Sequence, residues 1–272
     1  MNLESKTIYE YSVQLLESSK KEFEINTENM SERCIEVPWV AKNIRKLMPK
    51  KLLDIGISLA SLDYLGMLLY IKNNYKICLE AIDIIQPQRV KTRYPKEWLD
   101  EIFSIPFLHG DIREFNFKNE LFDMITCISV IEHIGYDEES EEGNVSAFKR
   151  TKNKENVCRL RDSHVNQNVL DKCAKLLKNN GKLLISVPMG KGGSVLLKDS
   201  LGYFTTQWEY ERDSWAAIVG NKSFNVIEQK FYKMIDKRYW KEVESPENLV
   251  DCSSALSPHA YGCALCLLEK KS

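Results

Sequence analysis

The feature that most limits how this chain can fold is an alternation that starts at about residue 50. Short apolar runs, KKLLDI, YKICLEAIDI, IPFLHGD, FDMITCISV and GKLLISVP, are separated by stretches whose apolar residues recur at helical spacing. The runs are continuously apolar rather than alternating, which predicts strands buried on both faces. Such strands form a parallel sheet with helices on each side. The helical stretches are Leu59 to Lys72, PKEWLDEIF with Pro95 as its start, VNQNVLDKCAKLLKNNG closed by Gly181, and ERDSWAAIVGN. Two late runs, SFNVIEQKFYKM and HAYGCALCLLEK, follow without a crossover-sized helix and predict an antiparallel pair. Residues 1–50 read as helical, with one helix around Lys6 to Phe23 and another from Trp39 to Leu47. Pro38 is expected in the first turn of the second. The chain thus divides into an N-terminal helical cover (1–50) and a sheet-containing domain (51–272).

Charge excludes one class of function. With 38 Lys+Arg against 39 Asp+Glu, the net charge of -1 lacks the basic excess of a protein that works by neutralising phosphates. Nucleic acid is not the expected partner. The first residues carry acidic groups and no apolar core, unlike a secretory signal, and no run is long enough to span a membrane. Most of the eight cysteines sit inside apolar patterns, as reduced thiols do. Cys263 and Cys266 have CxxC spacing, but on a strand residues three apart face opposite ways, so they predict neither zinc nor redox chemistry. A reduced, cytoplasmic globular protein is expected. One compositional break lies near 136–162, where YDEESEEGN is followed by FKRTKNKENVCRLRD. It is either a solvated insertion or, given its place after the fourth strand, a lid over a site.

Chemistry-bearing residues fall at the ends of successive strands, where an open parallel sheet places its ligands. LDIGISLAS follows the first strand. Gly56 permits a sharp turn, Ser58 and Ala60 keep the loop small, and the next helix start offers free N–H groups, which suits a nucleotide-type ligand or a plain tight turn. Asp83 ends the second strand, where a carboxylate can accept from both hydroxyls of a ribose. Asp111 and Ile112, in HGDI, follow the third strand and can address an adenine edge. Glu132 and His133 leave the fourth. Each has an ordinary reading, since an acidic residue at a strand end is often only a cap or turn residue; four such signals in order are harder to explain that way.

With these motifs the chain resembles the class I S-adenosylmethionine-dependent methyltransferases from about Glu36 to its C-terminus. LDIGISLAS is similar to their glycine-rich first motif, EAIDI to their ribose-binding strand end and HGDI to their adenine-binding pair. FDMITCISVIEHIG, LLKNNGKLLISVPMG and the two late strands also fall in the family's places. IEHIGY and SVPMGKGG look most like enzymes of sugar and surface-glycan gene clusters. The resemblance implies a Rossmann-like α/β fold: a seven-stranded, mostly parallel sheet with an antiparallel last strand. S-adenosyl-L-methionine is the implied cofactor. Asp54 and Gly56 would line its methionine part, Asp83 would hold its ribose and Asp111 with Ile112 its adenine; Ser58, Ile84 and Ser129 would also contact the cofactor. Two departures stand out. Ser58 and Ala60 replace the second and third glycines, and Asp83 lies further from Gly56 than is usual, which implies an extra turn of helix.

The sulfonium methyl is already activated, so the protein's main task is alignment. A hydroxyl acceptor also needs a base, for which His133, expected near its ordinary ~6.5, is the first candidate and Glu132 the second. His109 and His164 are weaker candidates, and His259 is expected to be structural. Some related O-methyltransferases hold a metal around the EH pair. Ser129 stands where one ligand would be, so no catalytic metal is expected. Glu36 and Trp39 are expected to fold over the cofactor. Gly190, Lys191, Gly192 and Gly193 form an expected flexible, positively tipped loop. Tyr203, Phe204, Trp208 and Tyr210 are an aromatic cluster, core or sugar-stacking. The leading expectation is methyl transfer to a small-molecule acceptor, a hydroxyl of a sugar, nucleotide sugar or glycan precursor. An amine or protein N-methyltransferase and a non-catalytic relative that binds the cofactor are the alternatives. GISLAS lacks the GxGxxG of a dinucleotide oxidoreductase, and neither an Asn/Asp-Pro-Pro-aromatic nor a Pro-Cys motif of nucleic-acid enzymes occurs. Homodimer formation stays open.

Overall fold

In the computed structural model, residues 1–18, 26–118, 121–136, 161–198, 204–253 and 260–272 are described. The parallel strands β1 (Lys51–Ile55), β2 (Cys78–Asp83), β3 (Phe107–His109), β4 (Phe122–Ile128) and β5 (Leu177–Pro188) lie in the order β3-β2-β1-β4-β5. β10 (Gly262–Lys270) runs antiparallel to β5, then β8 (Phe224–Ile235) antiparallel to β10 and β9 (Tyr239–Val243) antiparallel to β8. The Rossmann-like α/β architecture is as expected, and the late strands pair antiparallel. The sheet has eight strands rather than seven, because Tyr239–Val243 adds an edge. A separate hairpin, β6 (Gly193–Lys198) and β7 (Phe204–Glu209), was not legible in the sequence.

Neighbouring strand residues feed opposite layers, because side chains alternate across a sheet. Leu52 joins a core with Ile8, Val40 and Leu68, from α1 (Leu3–Glu17), α2 (Arg33–Leu47) and α3 (Leu62–Asn74). Leu53 joins the other core with Leu170 and Trp215, from α5 (Val165–Leu176) and α6 (Arg212–Val219). The short α4 (Leu99–Phe103) precedes β3. Cys263 and Cys266 divide between the two cores, so the CxxC pair does not meet. Cys158 lies outside the described residues.

Two helix boundaries differ from expectation. α2 begins at Arg33, and Pro38 lies inside it. Pro38 removes the bond to the Cys34 carbonyl, a loss that the buried packing of Val37, Val40 and Ile44 outweighs. α5 ends at Leu176 rather than at Gly181, because Leu177 already pairs with Phe122 of β4. Asn180 at φ +60° and Gly181 instead turn the chain within β5. Among the described residues no helix is long and apolar enough to cross a membrane.

The strand order reverses between β1 and β4: from β1 the chain builds outward to β2 and β3, then returns to the other side of β1. Ligand crevices open at such a switch point, beyond the strands' carboxyl ends. The loops after β1 and β4 flank it.

Candidate active site

At the β1–β2 side the main chain does most of the shaping. Gly56 has φ +89°, and its N–H donates to the Ile82 carbonyl at 2.9 Å. A Cβ there would lie 2.5 Å from Val130 Cγ2, so the turn after β1 and the loop after β4 touch only because residue 56 is glycine. The Ser58 N–H donates to Asp83 Oδ2 at 2.9 Å and the Ile85 N–H to Oδ1 at 3.0 Å. Ser58 is fully buried; its hydroxyl donates to the Ile85 carbonyl and its own carbonyl accepts from Tyr94 Oη at 2.7 Å. Each Asp83 oxygen thus accepts a backbone N–H from the loop that follows β1 or β2. Burial pushes the Asp83 carboxyl up despite these N–H donors. The chain brings Gly56, Ser58, Asp83 and Ile84 together as expected.

Asp54, at 1% exposure, accepts at Oδ1 from Tyr64 Oη and Thr126 Oγ1, both at 2.7 Å. Its Oδ2 is buried without a partner, and burial raises the carboxyl from 3.8 to about 7. An orphaned buried carboxylate oxygen beside the first-motif turn suits an ammonium group.

The adenine side departs from expectation. Ile112 is buried, but Asp111 is held by Arg113, whose Nη2 lies 2.6 Å from Oδ2 and whose backbone N–H lies 2.7 Å from Oδ1. An adenine amine would share Asp111 with this guanidinium. His109 is exposed, with Nε2 3.0 Å from the Ile84 carbonyl. His164 is exposed and directly precedes α5. His259 and Tyr203 lie outside the described residues, as does the Phe204 side chain.

After β4 the backbone is strained. Ser129 takes φ +54°, its N–H donating to the Ser186 hydroxyl at 3.0 Å. That turn delivers Ile131–His133, a single 3₁₀ turn, to the crevice. Glu132 is 1% exposed; the Ser129 hydroxyl donates to it, and its Oε2 has no partner. Burial, with the nearby Glu36, lifts its carboxyl from 4.5 to about 8. His133 does not keep its ordinary value. Burial lowers it from 6.5 to about 4, with Arg33 and Arg161 adding to the shift. Its Nδ1 faces the Thr206 carbonyl at 3.3 Å, so Nδ1 carries the proton and Nε2 is the acceptor nitrogen. Beside a neutral, poorly basic imidazole stands a carboxyl that titrates near neutrality.

Three groups here escaped the sequence reading. Arg33, in the first turn of α2, pairs with Glu36 at 2.6 Å and interacts with Glu32, Asp63 and Glu132. Glu36 is fully buried and accepts from Cys263 Sγ at 3.8 Å, so it does reach the strand ends. Trp39 does not: its Nε1 donates to Glu228 of β8 at 3.2 Å, on the face of the sheet, so the expected cover is not made by this side chain. Arg161 is the second. It donates to the Ile131 and Ile134 carbonyls at 2.5 and 2.9 Å and to Tyr210 Oη at 3.2 Å, and stacks near Trp208. It ties the Ile131–His133 turn to the hairpin. Arg113 is the third. Arg33 and Glu36 stand three apart and Asp111 and Arg113 two apart, spacings that any surface ion pair shares; nothing local marks the reach of Arg33 to Asp63 and Glu132, or the contacts of Arg161.

The loop after β5 is pinned rather than flexible. A Cβ on Gly190 would lie 2.5 Å from the Cys252 carbonyl, and the Lys191 N–H donates to Glu209 Oε2 at 2.9 Å. The Lys191 side chain points outward, exposed; Gly192 and Gly193, both at positive φ, open the hairpin. Trp208 and buried Tyr210 pack against Arg161. Of the segment near 136–162, residues 137–160 lie outside the described residues. Its ends meet where the Asp162 N–H donates to the Gly135 carbonyl at 3.1 Å.

Comparison with known proteins bears on the fold and on residues 53–151. Residues 53–151 match the model of the methyltransferase domain family. No curated protein matches the chain. Among solved structures, a SAM-dependent methyltransferase from Methanosarcina mazei aligns at 12% identity and TM-score 0.51, over 84% of this chain and 97% of that one. A Pyrococcus horikoshii protein aligns at 11% and 0.50, over 88% and 90%. The N-methyltransferase NodS from Bradyrhizobium japonicum, in complex with S-adenosylhomocysteine, aligns at 15% and 0.46, over 98% and 100%. Residues 53–151 thus match a methyltransferase domain family, and the chain has the fold of the Methanosarcina mazei enzyme.

Proposed function

We propose that the chain methylates a small-molecule acceptor and that Glu132 takes the acceptor's proton. The observation that carries this reading is the Glu132 carboxyl, buried at the switch point, with one oxygen unpartnered and a proton affinity raised to about 8. A base works best when its pKa lies near the working pH. S-adenosylmethionine supplies an activated methyl group on a sulfonium sulfur.

The residues present fit that cofactor. Asp83 would hold the two ribose hydroxyls, and the Gly56 turn and Ser129 line the crevice. The orphaned Oδ2 of Asp54 suits the amino group of the methionine part. Ile112 would pack on adenine, with Asp111 shared between the adenine amine and Arg113. His133, neutral and tied to Thr206, orients the hairpin wall and takes no proton. The first 50 residues act as a cover through the first turn of α2, where Arg33 and Glu36 reach the strand ends.

Sugar, nucleotide-sugar or glycan-precursor hydroxyls are the first acceptors to test, on the resemblance of IEHIGY and SVPMGKGG. The test is calorimetric titration with S-adenosylmethionine beside Asp83→Ala, then radiolabelled methyl transfer to an acceptor panel. Cofactor binding that is lost in Asp83→Ala, and transfer that is lost in Glu132→Gln, are the expected results. Unaltered transfer in Glu132→Gln would remove Glu132 from the role.

A further inference from the structure

The charge of the crevice says more about the acceptor than the motifs do. Arg33 of α2 interacts with four carboxyl groups: Glu36 on its own helix, Glu32 just before it, Asp63 in the first turn of α3, and Glu132 after β4. Cys263, at the start of β10, closes the cluster against Glu36. Glu36, Asp63 and Glu132 are buried, at 0%, 2% and 1% exposure. One guanidinium among four carboxyls is too little positive charge to keep them all ionised, so burial holds Glu132 protonated up to about 8. Glu132 also presents a buried oxygen that no donor satisfies, close to Glu36 and Arg33. A neutral hydroxyl brings no charge to draw that proton off, whereas a cation with N–H donors stabilises the Glu132 carboxylate and satisfies its orphaned oxygen. Arg33 keeps 23% of its side chain exposed, so the cluster has a solvent-facing side.

We propose that the Arg33, Glu36, Asp63 and Glu132 cluster is the acceptor subsite and that it receives a protonated amine. The proposal rests on the methyltransferase reading and narrows its acceptor to an ammonium-bearing small molecule. Glu132 Oε2 accepts an ammonium N–H and then takes that proton, which frees the nitrogen lone pair for the methyl group; Asp63 supplies further negative potential, and the Arg33–Glu36 pair fixes the wall. The same chemistry is carried by the amino group of the cofactor itself, which is the rival occupant.

The test uses the full chain loaded with S-adenosylhomocysteine, which carries that amino group and binds without turnover. Methylammonium chloride is the probe, against sodium chloride at equal ionic strength. In wild type, methylammonium is expected to raise Tm by about 2–3 °C. Glu132→Gln is expected to lose that rise while binding S-adenosylhomocysteine within about twofold of wild type. If Glu132→Gln weakens S-adenosylhomocysteine by about tenfold or more, the cofactor's amino group holds the subsite and the acceptor assignment is overturned. An equal effect of both salts on wild type overturns it as well. Should Glu132→Gln not fold, Asp63→Asn carries the same two measurements and is judged by the same outcomes. Wild-type binding of S-adenosylhomocysteine is read in the same experiment, so the amine inference can fail while the cofactor site stands.

Discussion

The two flanks of the crevice are built by different means. On the β1–β2 side, Gly56, Ser58 and Asp83 are fixed by main-chain hydrogen bonds spanning 25 residues of sequence. On the β4 side, Glu132 lies among side chains from α2 and β10, with Glu36 and Cys263 separated by 227 residues. The first flank depends on shape, the second on charge and burial. Backbone geometry tolerates many neighbours but one residue type at the turn. A buried carboxyl tolerates shape changes but takes its proton affinity from everything around it.

Substitution at the turn is the severest break in the first flank. Gly56→Ala meets Val130 at 2.5 Å and forces alanine to φ +89°, so the loops after β1 and β4 must part. The expected cost is about 3 kcal/mol, with loss of cofactor binding. Urea unfolding and calorimetry check both; retained binding would show that the two loops need not touch.

Glu132→Gln is the corresponding break in the second flank. It keeps the shape and removes the proton acceptor, so kcat is expected to fall about 100-fold. The pH profile sharpens the point: wild-type activity should rise with pH up to about 8 as Glu132 ionises, and the residual activity of the variant should lack that limb.

Legibility in the sequence followed the same division. Gly56, Asp83 and the succession of strands could be read because local pattern and strand-end position dictate them. The buried runs also gave both layers, as Leu52 and Leu53 illustrate. Arg33, Asp63 and Arg161 could not be read: their role depends on which distant groups they meet, and a charged residue on a helix looks solvated until its partners are placed. The imidazole of His133 was expected near its ordinary value for the same reason, since burial is a tertiary property. The β6–β7 hairpin was missed because GGSVLLK and FTTQWE are short and form a two-stranded sheet apart from the main one.

Arg161 joins the second flank to the hairpin, so Arg161→Met tests whether that flank is held from outside. Loss of its bonds to the Ile131 and Ile134 carbonyls and to Tyr210 is expected to cost about 2 kcal/mol. The β1–β2 flank is not involved, so S-adenosylhomocysteine affinity should fall less than stability does; an equal fall in both would merge the two flanks into one unit.

A smaller effect follows from the titrations. Glu132 holds its proton up to about 8 in the fold against an ordinary 4.5, and Asp54 up to about 7 against 3.8. The stability these two lend is full below their ordinary values and is lost as pH rises through the folded ones. His133 acts oppositely: with a folded value of about 4 against 6.5, it lends stability above 6.5 and loses it as pH falls towards 4. Below 6.5 the effects oppose each other. Between 6.5 and 8 the carboxyls dominate, so Tm of the cofactor-free protein should decline across that window, and Glu132→Gln should flatten the decline. A Tm that rises there would contradict the burial of both acids.

His133→Asn carries the smallest expected effect and separates the two candidate bases most cleanly. A base with a value of about 4 is almost wholly deprotonated at neutral pH, but it holds a proton too weakly to assist the reaction there. What His133 contributes is one N–H to the Thr206 carbonyl, and an asparagine amide can supply that donor at similar reach. The variant should therefore keep kcat within about threefold and leave the limb near pH 8 in place. If His133→Asn removes that limb while Glu132→Gln preserves it, the proton acceptor is the imidazole. The carboxyl would then serve only the charge of the crevice.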